Sequence, residues 1–287
     1  MDVMNEICNN NNLIKLLDSA PLCYFDSGKI IVDIFIADIV LNAMIDTGCY
    51  SSQISKGTLE MYKLDSDNIS VFELYGIKYQ MYFEPLEDKN AMQYDVILGL
   101  DFLKKYKINI DFDNNILYSS NFVESIKYFY NFKKNNDLQK TEDLLTKYNS
   151  DIKLERDICF NIYKLIIIDV YIGKKKCKAL IDTGMVYCLV KYHIIRSDNV
   201  LYKFIDNQNK RGIMFITGVK PSIGTAPFIN IVINKHSIPC TFKVFKKKRT
   251  YQNFDLILDN NFLIQNKVII DFYANKLVFS DLFTVDF

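Results

Sequence analysis

Two aspartates stand in the same setting at two places in the chain. Ala43-Met44-Ile45-Asp46-Thr47-Gly48 is answered by Ala179-Leu180-Ile181-Asp182-Thr183-Gly184, an apolar strand running into Asp-Thr-Gly both times. An aspartate at the end of an apolar strand is partly desolvated, and desolvation raises a carboxyl pKa. Thr47 and Thr183 supply hydroxyls that can hold each loop, while Gly48 and Gly184 lack the Cβ that would keep a second backbone or a ligand away. Brought face to face at about 3 Å, two such carboxylates cannot both ionise and must share a proton, which makes an acid and a base in one site.

The elements that would position them read as hairpins. Ile30–Ile36 is rich in β-branched residues, Ala37-Asp38 is a candidate turn, and Ile39–Ile45 returns to Asp46. The second copy has Leu165–Ile172, an expected solvated turn over Gly173-Lys174-Lys175-Lys176, and Cys177–Ile181 leading to Asp182. Further on, Asp95–Ser120 aligns without a gap on Asp255–Ser280: Phe102-Leu103 falls on Phe262-Leu263 and Ile110-Asp111-Phe112 on Ile270-Asp271-Phe272. The chain is therefore an internal repeat.

These residues resemble the retropepsin-like aspartic proteases, in which Asp-Thr-Gly carries the catalytic aspartate. Val96-Ile97-Leu98-Gly99 matches a second signature of that family, a hydrophobic segment ending in Gly that packs beside the catalytic loop. The second half looks closest to the protease domain of the DNA-damage-inducible ubiquitin-shuttle proteins. The resemblance implies an all-β fold of two pseudo-twofold-related lobes in one chain, with a short helix in each. The expected layout is an N-terminal extension over 1–20, lobe 1 over 21–120, a partly helical linker over 121–157 and lobe 2 over 158–287.

It also implies roles. Asp46 and Asp182 would be the catalytic pair, and Thr47 and Thr183 would lock the two loops together. The Gly48 and Gly184 carbonyls would accept hydrogen bonds from an extended substrate. Lobe 2 carries extra residues, 211–227, that resemble the flap closing over substrate, so Phe215, Thr217, Gly218 and Val219 are expected to bind it together with Ile97 and Ile257. Lobe 1 runs from a helical-looking Ser55–Leu64 into Val71–Phe83 with a flap shortened or absent, which implies one flap for the molecule, as in the two-lobed pepsins.

Three positions depart from the family pattern. Asp259 stands where the first half has Gly99, and it could distort the lobe, add a third charge to the site or sit at a rim. Cys49 and Met185 follow the glycines where a small residue is usual. Cys49 reads as a small apolar filler, with an oxidisable switch as the alternative.

Composition excludes several other classes. A net charge of +1 over 287 residues gives no electrostatic case for nucleic acid or an anionic membrane. The apolar run Ile30–Ile45 is broken by Asp33 and Asp38, so no segment reads as a membrane span, and Met1–Glu6 does not begin like a secretory signal. Seven cysteines without a Cys-x-x-Cys pair and two isolated histidines, His193 and His236, argue against a disulfide framework or a metal site, so no metal or cofactor is expected and a reducing, cytoplasmic or nuclear setting is. Lys246-Lys247-Lys248-Arg249 reads as a solvated loop rather than a localisation signal.

The expected activity is that of an aspartic endopeptidase working as a monomer on polypeptide substrates. The alternatives are a catalytically inactive relative serving as a peptide-binding or scaffolding module, and a dimer pairing equivalent lobes of two chains. A ubiquitin link rests on family analogy alone.

Overall fold

The structure, a computed structural model, describes residues 29–36, 39–64, 70–86, 94–120, 123–125, 128–129, 164–196, 213–215, 218–220, 222–245, 253–280 and 282–287. The N-terminal extension, most of the linker with its expected helix, the Ala37-Asp38 turn and the Lys246–Arg249 run lie outside these residues. The fold is mainly β-strand with a few short helices.

In the first half the strands are β1 (Lys29–Ile36), β2 (Ile39–Ile45), β3 (Gln53–Ser55), β4 (Ser70–Leu74), β5 (Ile77–Met81), β6 (Glu84–Leu86) and β7 (Val96–Leu98). They form one sheet in the order β5-β4-β1-β2-β7-β3-β6. Strand β1 alternates: Ile30, Val32, Ile34 and Ile36 are buried, and Asp33 and Phe35 point outward. Period-two burial of this kind fixes the register, because a slip of one residue would turn every apolar side chain to water. Helix α1 (Lys56–Tyr62) follows β3, capped by the Ser55 hydroxyl on the Thr58 N–H at 3.2 Å. Helix α2 (Leu100–Lys105) follows β7.

Then come β8 (Asn109–Asp111), β9 (Ile116–Tyr118), β10 (Val123–Ser125) and β11 (Tyr128–Phe129), the last pairing with β1. The second half adds β12 (Ile167–Ile172), β13 (Lys175–Ile181), β14 (Leu189–Lys191), α3 (Tyr192–Arg196), β15 (Ile213–Phe215), β16 (Gly218–Lys220), β17 (Ser222–Ile233), β18 (His236–Phe245), β19 (Leu256–Leu258), α4 (Asn260–Gln265), β20 (Val268–Asp271), β21 (Lys276–Phe279) and β22 (Phe283–Asp286). Strands β12-β13-β19-β14-β18-β17 close into a barrel.

A third sheet, β10-β9-β8-β20-β21-β22, takes strands from both halves. Its central pair sets Ile110 opposite Ile270 and Asp111 opposite Ile269. The Phe272 N–H adds a bond to the Asn109 side chain at 2.7 Å. A single apolar core runs through both halves, with Ile110, Leu117, Ile270 and Leu277 among its buried members. Burial of each such side chain contributes about 1.5–3 kcal/mol.

One turn is shorter than the sequence suggests. The link between β12 and β13 is Gly173-Lys174, with Gly173 at φ 58°, and Lys175 and Lys176 belong to β13. Gly takes that left-handed conformation without a Cβ clash, so two residues suffice. Lys176 and Lys178 instead pair with Asp169 across the hairpin at 2.9 and 2.6 Å. Among the described residues no helix is long and apolar enough to cross a membrane.

Candidate active site

Each Asp-Thr-Gly loop begins where a hairpin strand meets a parallel neighbour. In the first half β7 lies beside β2, with Ala43, Met44 and Ile45 opposite Val96, Ile97 and Leu98, and the Asp46 N–H extends the ladder to the Leu98 carbonyl at 3.0 Å. In the second half Ala179, Leu180 and Ile181 face Leu256, Ile257 and Leu258, and the Asp182 N–H reaches the Leu258 carbonyl at 3.0 Å. Both aspartates are thereby fixed at the ends of buried strands.

Four reciprocal bonds join the two loops. The Thr47 N–H donates to the Thr183 hydroxyl and the Thr183 N–H to the Thr47 hydroxyl, both at 3.0 Å. The Thr47 hydroxyl donates to the Ile181 carbonyl and the Thr183 hydroxyl to the Ile45 carbonyl, both at 2.9 Å. Both threonines are fully buried. Within each loop the glycine N–H donates to its own aspartate, Gly48 to Asp46 at 2.8 Å and Gly184 to Asp182 at 3.0 Å.

The clamp sets the carboxyls side by side. Asp46 is 4% exposed and Asp182 9%, and their side chains share a hydrogen bond. A methyl group on Gly48 would come within 2.4 Å of the Asp182 carboxyl, and one on Gly184 within 2.4 Å of the Asp46 carboxyl. Glycine is needed at both positions because the opposite aspartate occupies the space a Cβ would take. Burial raises both carboxyl pKa values. The Gly48 N–H tempers the effect at Asp46, whereas the charge of Asp46 adds to it at Asp182. Both shifts favour a pair that shares one proton over two separate carboxylates.

Six of the sequence-predicted residues, Asp46, Thr47, Gly48, Asp182, Thr183 and Gly184, meet here. Ile97 and Ile257 lie one strand away, each in a small apolar cluster of its own. Ile97 packs with Met44 and Cys49, and Ile257 with Leu180, Met185, Leu189, Phe245 and Phe254. The residues after the two glycines thus fill equivalent places. The Cys49 thiol donates to the Ser51 carbonyl at 3.2 Å, and burial pushes its pKa far up, so it serves as packing and not as a reactive thiolate.

In the region expected to be a flap, β15 and β16 pair as a two-stranded sheet of their own, with Phe215 opposite Gly218 and Met214 opposite Val219. Thr217 falls outside the described residues. The hairpin is joined to no other sheet among the described residues.

Asp259 neither distorts the second half, nor enters the site, nor sits at a rim. It is 2% exposed and caps α4, accepting from the Phe262 N–H at 3.0 Å and from the Cys188 thiol at 3.0 Å. Burial raises its pKa. The first half does the equivalent work with a carboxylate two positions later: Asp101 accepts from the Ser52 N–H at 2.8 Å and the Ser52 hydroxyl at 2.7 Å, and that hydroxyl accepts from the Gly99 N–H at 3.0 Å. Gly99 has no room for a side chain, since a methyl would meet the Ser51 backbone at 2.8 Å. Ser52 and Cys188, each six residues after its aspartate, anchor the two arrangements. Asp259→Ala orphans the Phe262 N–H and is expected to lower stability by about 1–2 kcal/mol in urea unfolding, the range for loss of an N-cap.

The sequence reading missed Lys29 and Tyr94. Lys29 Nζ donates to the Tyr94 hydroxyl at 3.3 Å, and Asp46 and Asp182 both act on its charge. Among the described residues no three His, Cys, Asp or Glu side chains are grouped to hold a metal ion.

No family model matches this chain, and no curated protein sequence matches it. Among solved structures, the retroviral protease-like domain of Ddi1 from Leishmania major is similar over 43% of this chain and 96% of that chain, at 19% sequence identity and a TM-score of 0.36.

Proposed function

We propose that the chain is an aspartic endopeptidase in which two pseudo-twofold-related, retropepsin-like lobes, residues 21–120 and 158–287, form one site. The observation that carries this reading is the meeting of two buried carboxyls, Asp46 and Asp182, each lying against the glycine of the opposite loop, on loops clamped by Thr47 and Thr183. A pair that binds one proton between them can supply a base and an acid together.

The reaction needs one water between the carboxyls. Ionised Asp46 takes a proton from that water, the water oxygen bonds to the carbonyl carbon, and protonated Asp182 transfers its proton to the carbonyl oxygen as the C=O π bond opens. The resulting gem-diol collapses as the C–N bond breaks. The amine leaves with the proton that Asp46 had taken, Asp182 recovers its own, and a carboxyl group and an amine are the products. No covalent enzyme intermediate forms.

Substrate would lie extended between the lobes, its N–H groups on the Gly48 and Gly184 carbonyls, as an added strand. Residues 211–227, with Phe215, Thr217, Gly218 and Val219, would close over it as the flap. Ile97 and Ile257 would back the pockets for apolar side chains beside the cut. The inactive-module alternative rests on Asp259 and on the lost flap of the first half, and the cap on α4 accounts for Asp259 without touching the dyad.

The test is incubation of the chain with an unbiased peptide mixture from mildly acidic to neutral pH, with new termini read by mass spectrometry. Cleavage at internal bonds flanked by apolar residues is expected. An unchanged mixture, from protein shown to be folded, would sink the endopeptidase reading.

A further inference from the structure

Asp46 and Asp182 sit in matching loops, yet among the described residues their surroundings differ by one charge. Strand β1 pairs with β2 so that Ile31 lies opposite Met44. Two residues further along each strand, that register brings Lys29 level with Asp46. In the second half Ile167 lies opposite Leu180, and the residue level with Asp182 is Leu165, a partly buried apolar side chain packed on the Ile257 cluster.

The lysine is held in place. Its backbone pairs with Phe129 of β11. Its ammonium donates to the Tyr94 hydroxyl at 3.3 Å and stands 4.8 Å from the centre of the Tyr94 ring. Tyr94 in turn packs on Met44, Cys49 and Ile97, the residues that frame the Asp46 loop. Among the described residues Lys29 has no carboxylate within ion-pair distance. An ammonium drawn out of water without an ion-pair partner is unfavourable unless a nearby negative charge offsets it. Burial lowers the Lys29 pKa, and Asp46 first, then Asp182, act to raise it again. The effect is reciprocal: Lys29 is among the influences that favour the ionised form of Asp46.

We propose that Lys29, held on Tyr94, is a positioning residue that divides the roles of the pair, keeping the negative charge on Asp46 and the shared proton on Asp182. Asp46 is then the base toward water in every turnover, and Asp182 the hydrogen-bond donor to the carbonyl. The inference rests on the dyad reading above. Among the described residues, the other titratable groups that interact with the pair are Cys49 and Tyr94, both pushed up by burial, the Tyr94 phenol to about 12, so both stay neutral. Asp101 acts on Cys49, and Glu84 acts on Asp101. Lys29 is the positive charge in this set.

The test is a carbon-detected NMR titration of the full chain carrying one dyad carboxyl at a time, Asp182→Asn to read Asp46 and Asp46→Asn to read Asp182. Adding Lys29→Met to each is expected to raise the pKa of Asp46 by at least about one unit and that of Asp182 by less than half as much. Lys29→Arg should restore the original Asp46 value. Tyr94→Phe, which keeps the ring but removes the acceptor, should move Asp46 part of the way and serves as the second variant if Lys29→Met does not fold. In the otherwise wild-type chain, Lys29→Met should move the acid limb of kcat/KM to higher pH with KM little changed. Equal shifts at both carboxyls, or none at either, would overturn the assignment. Failure of the endopeptidase reading shows separately, as absent cleavage, because the titrations need no turnover.

Discussion

Asp46→Asn and Asp182→Asn are each expected to abolish cleavage, lowering kcat/KM by on the order of 10⁴-fold, the upper range for loss of a general acid or base. An amide cannot take a proton from water, and it cannot return one to the leaving amine. Either substitution leaves one carboxyl with nothing to share its proton. The two single variants also separate the arrangements open to this chain. If equivalent halves of two chains paired, Asp46→Asn would leave an Asp182 pair intact and about half of the activity.

The same substitutions carry a sign on stability. Burial and the neighbouring charge hold the Asp182 pKa well above the ordinary carboxyl range. The folded chain therefore keeps a proton at pH values where the unfolded chain has released it. With more protons bound in the folded state, stability falls as pH rises from the ordinary carboxyl value through the raised one. Asp182→Asn removes that slope, so its urea midpoint should match or exceed the wild-type value at neutral pH while its activity is gone. A variant that lost activity by unfolding would show the opposite.

Thr47→Val is expected to be among the most destabilising of the conservative changes at the site. Valine has nearly the same shape as threonine, yet the substitution strands the Thr183 N–H and the Ile181 carbonyl in a fully buried place. At about 1–3 kcal/mol for each orphaned group, the expected loss is about 2–6 kcal/mol. Thr183→Val should behave alike, since it strands the Thr47 N–H and the Ile45 carbonyl. Thr47→Ser keeps the hydroxyl and should lose only about 1 kcal/mol, the worth of one buried methyl. Urea unfolding measures all three. The double valine variant is expected to lose less than the sum, because loops parted by the first change admit water to the second. Near-neutral single variants would remove the clamp from the account.

Features that depend on neighbours in sequence were legible before any coordinates. Strand β1 alternates residue by residue and the apolar strand running into Asp-Thr-Gly repeats, so the hairpins follow from local pattern, whereas the strand beside each loop and the short helices α2 and α4 follow from the family resemblance of the repeated stretches Asp95 to Ser120 and Asp255 to Ser280. The repeat likewise singles out Asp46 and Asp182 as the candidate pair. What escaped is long-range or shared between levels. The pairing of Ile110 with Ile270 joins residues from opposite halves, and no periodicity announces it. Asp259 was weighed against the close-approach glycine it replaces, although an aspartate directly before a short helix is an N-cap signal in its own right. Lys29 carried no motif at all. Its place beside the dyad follows from the register of β1 on β2, which becomes readable once Ile31 is known to face Met44.

The central claim is that one chain carries a complete site, and the most direct measurement is the cleavage rate as a function of chain concentration from nanomolar to micromolar. The account predicts a rate per chain that stays constant across the range, with the active species sedimenting at 33.6 kDa. A rate per chain that rises in proportion to concentration and is lost on dilution would show that two chains are needed, and would contradict it.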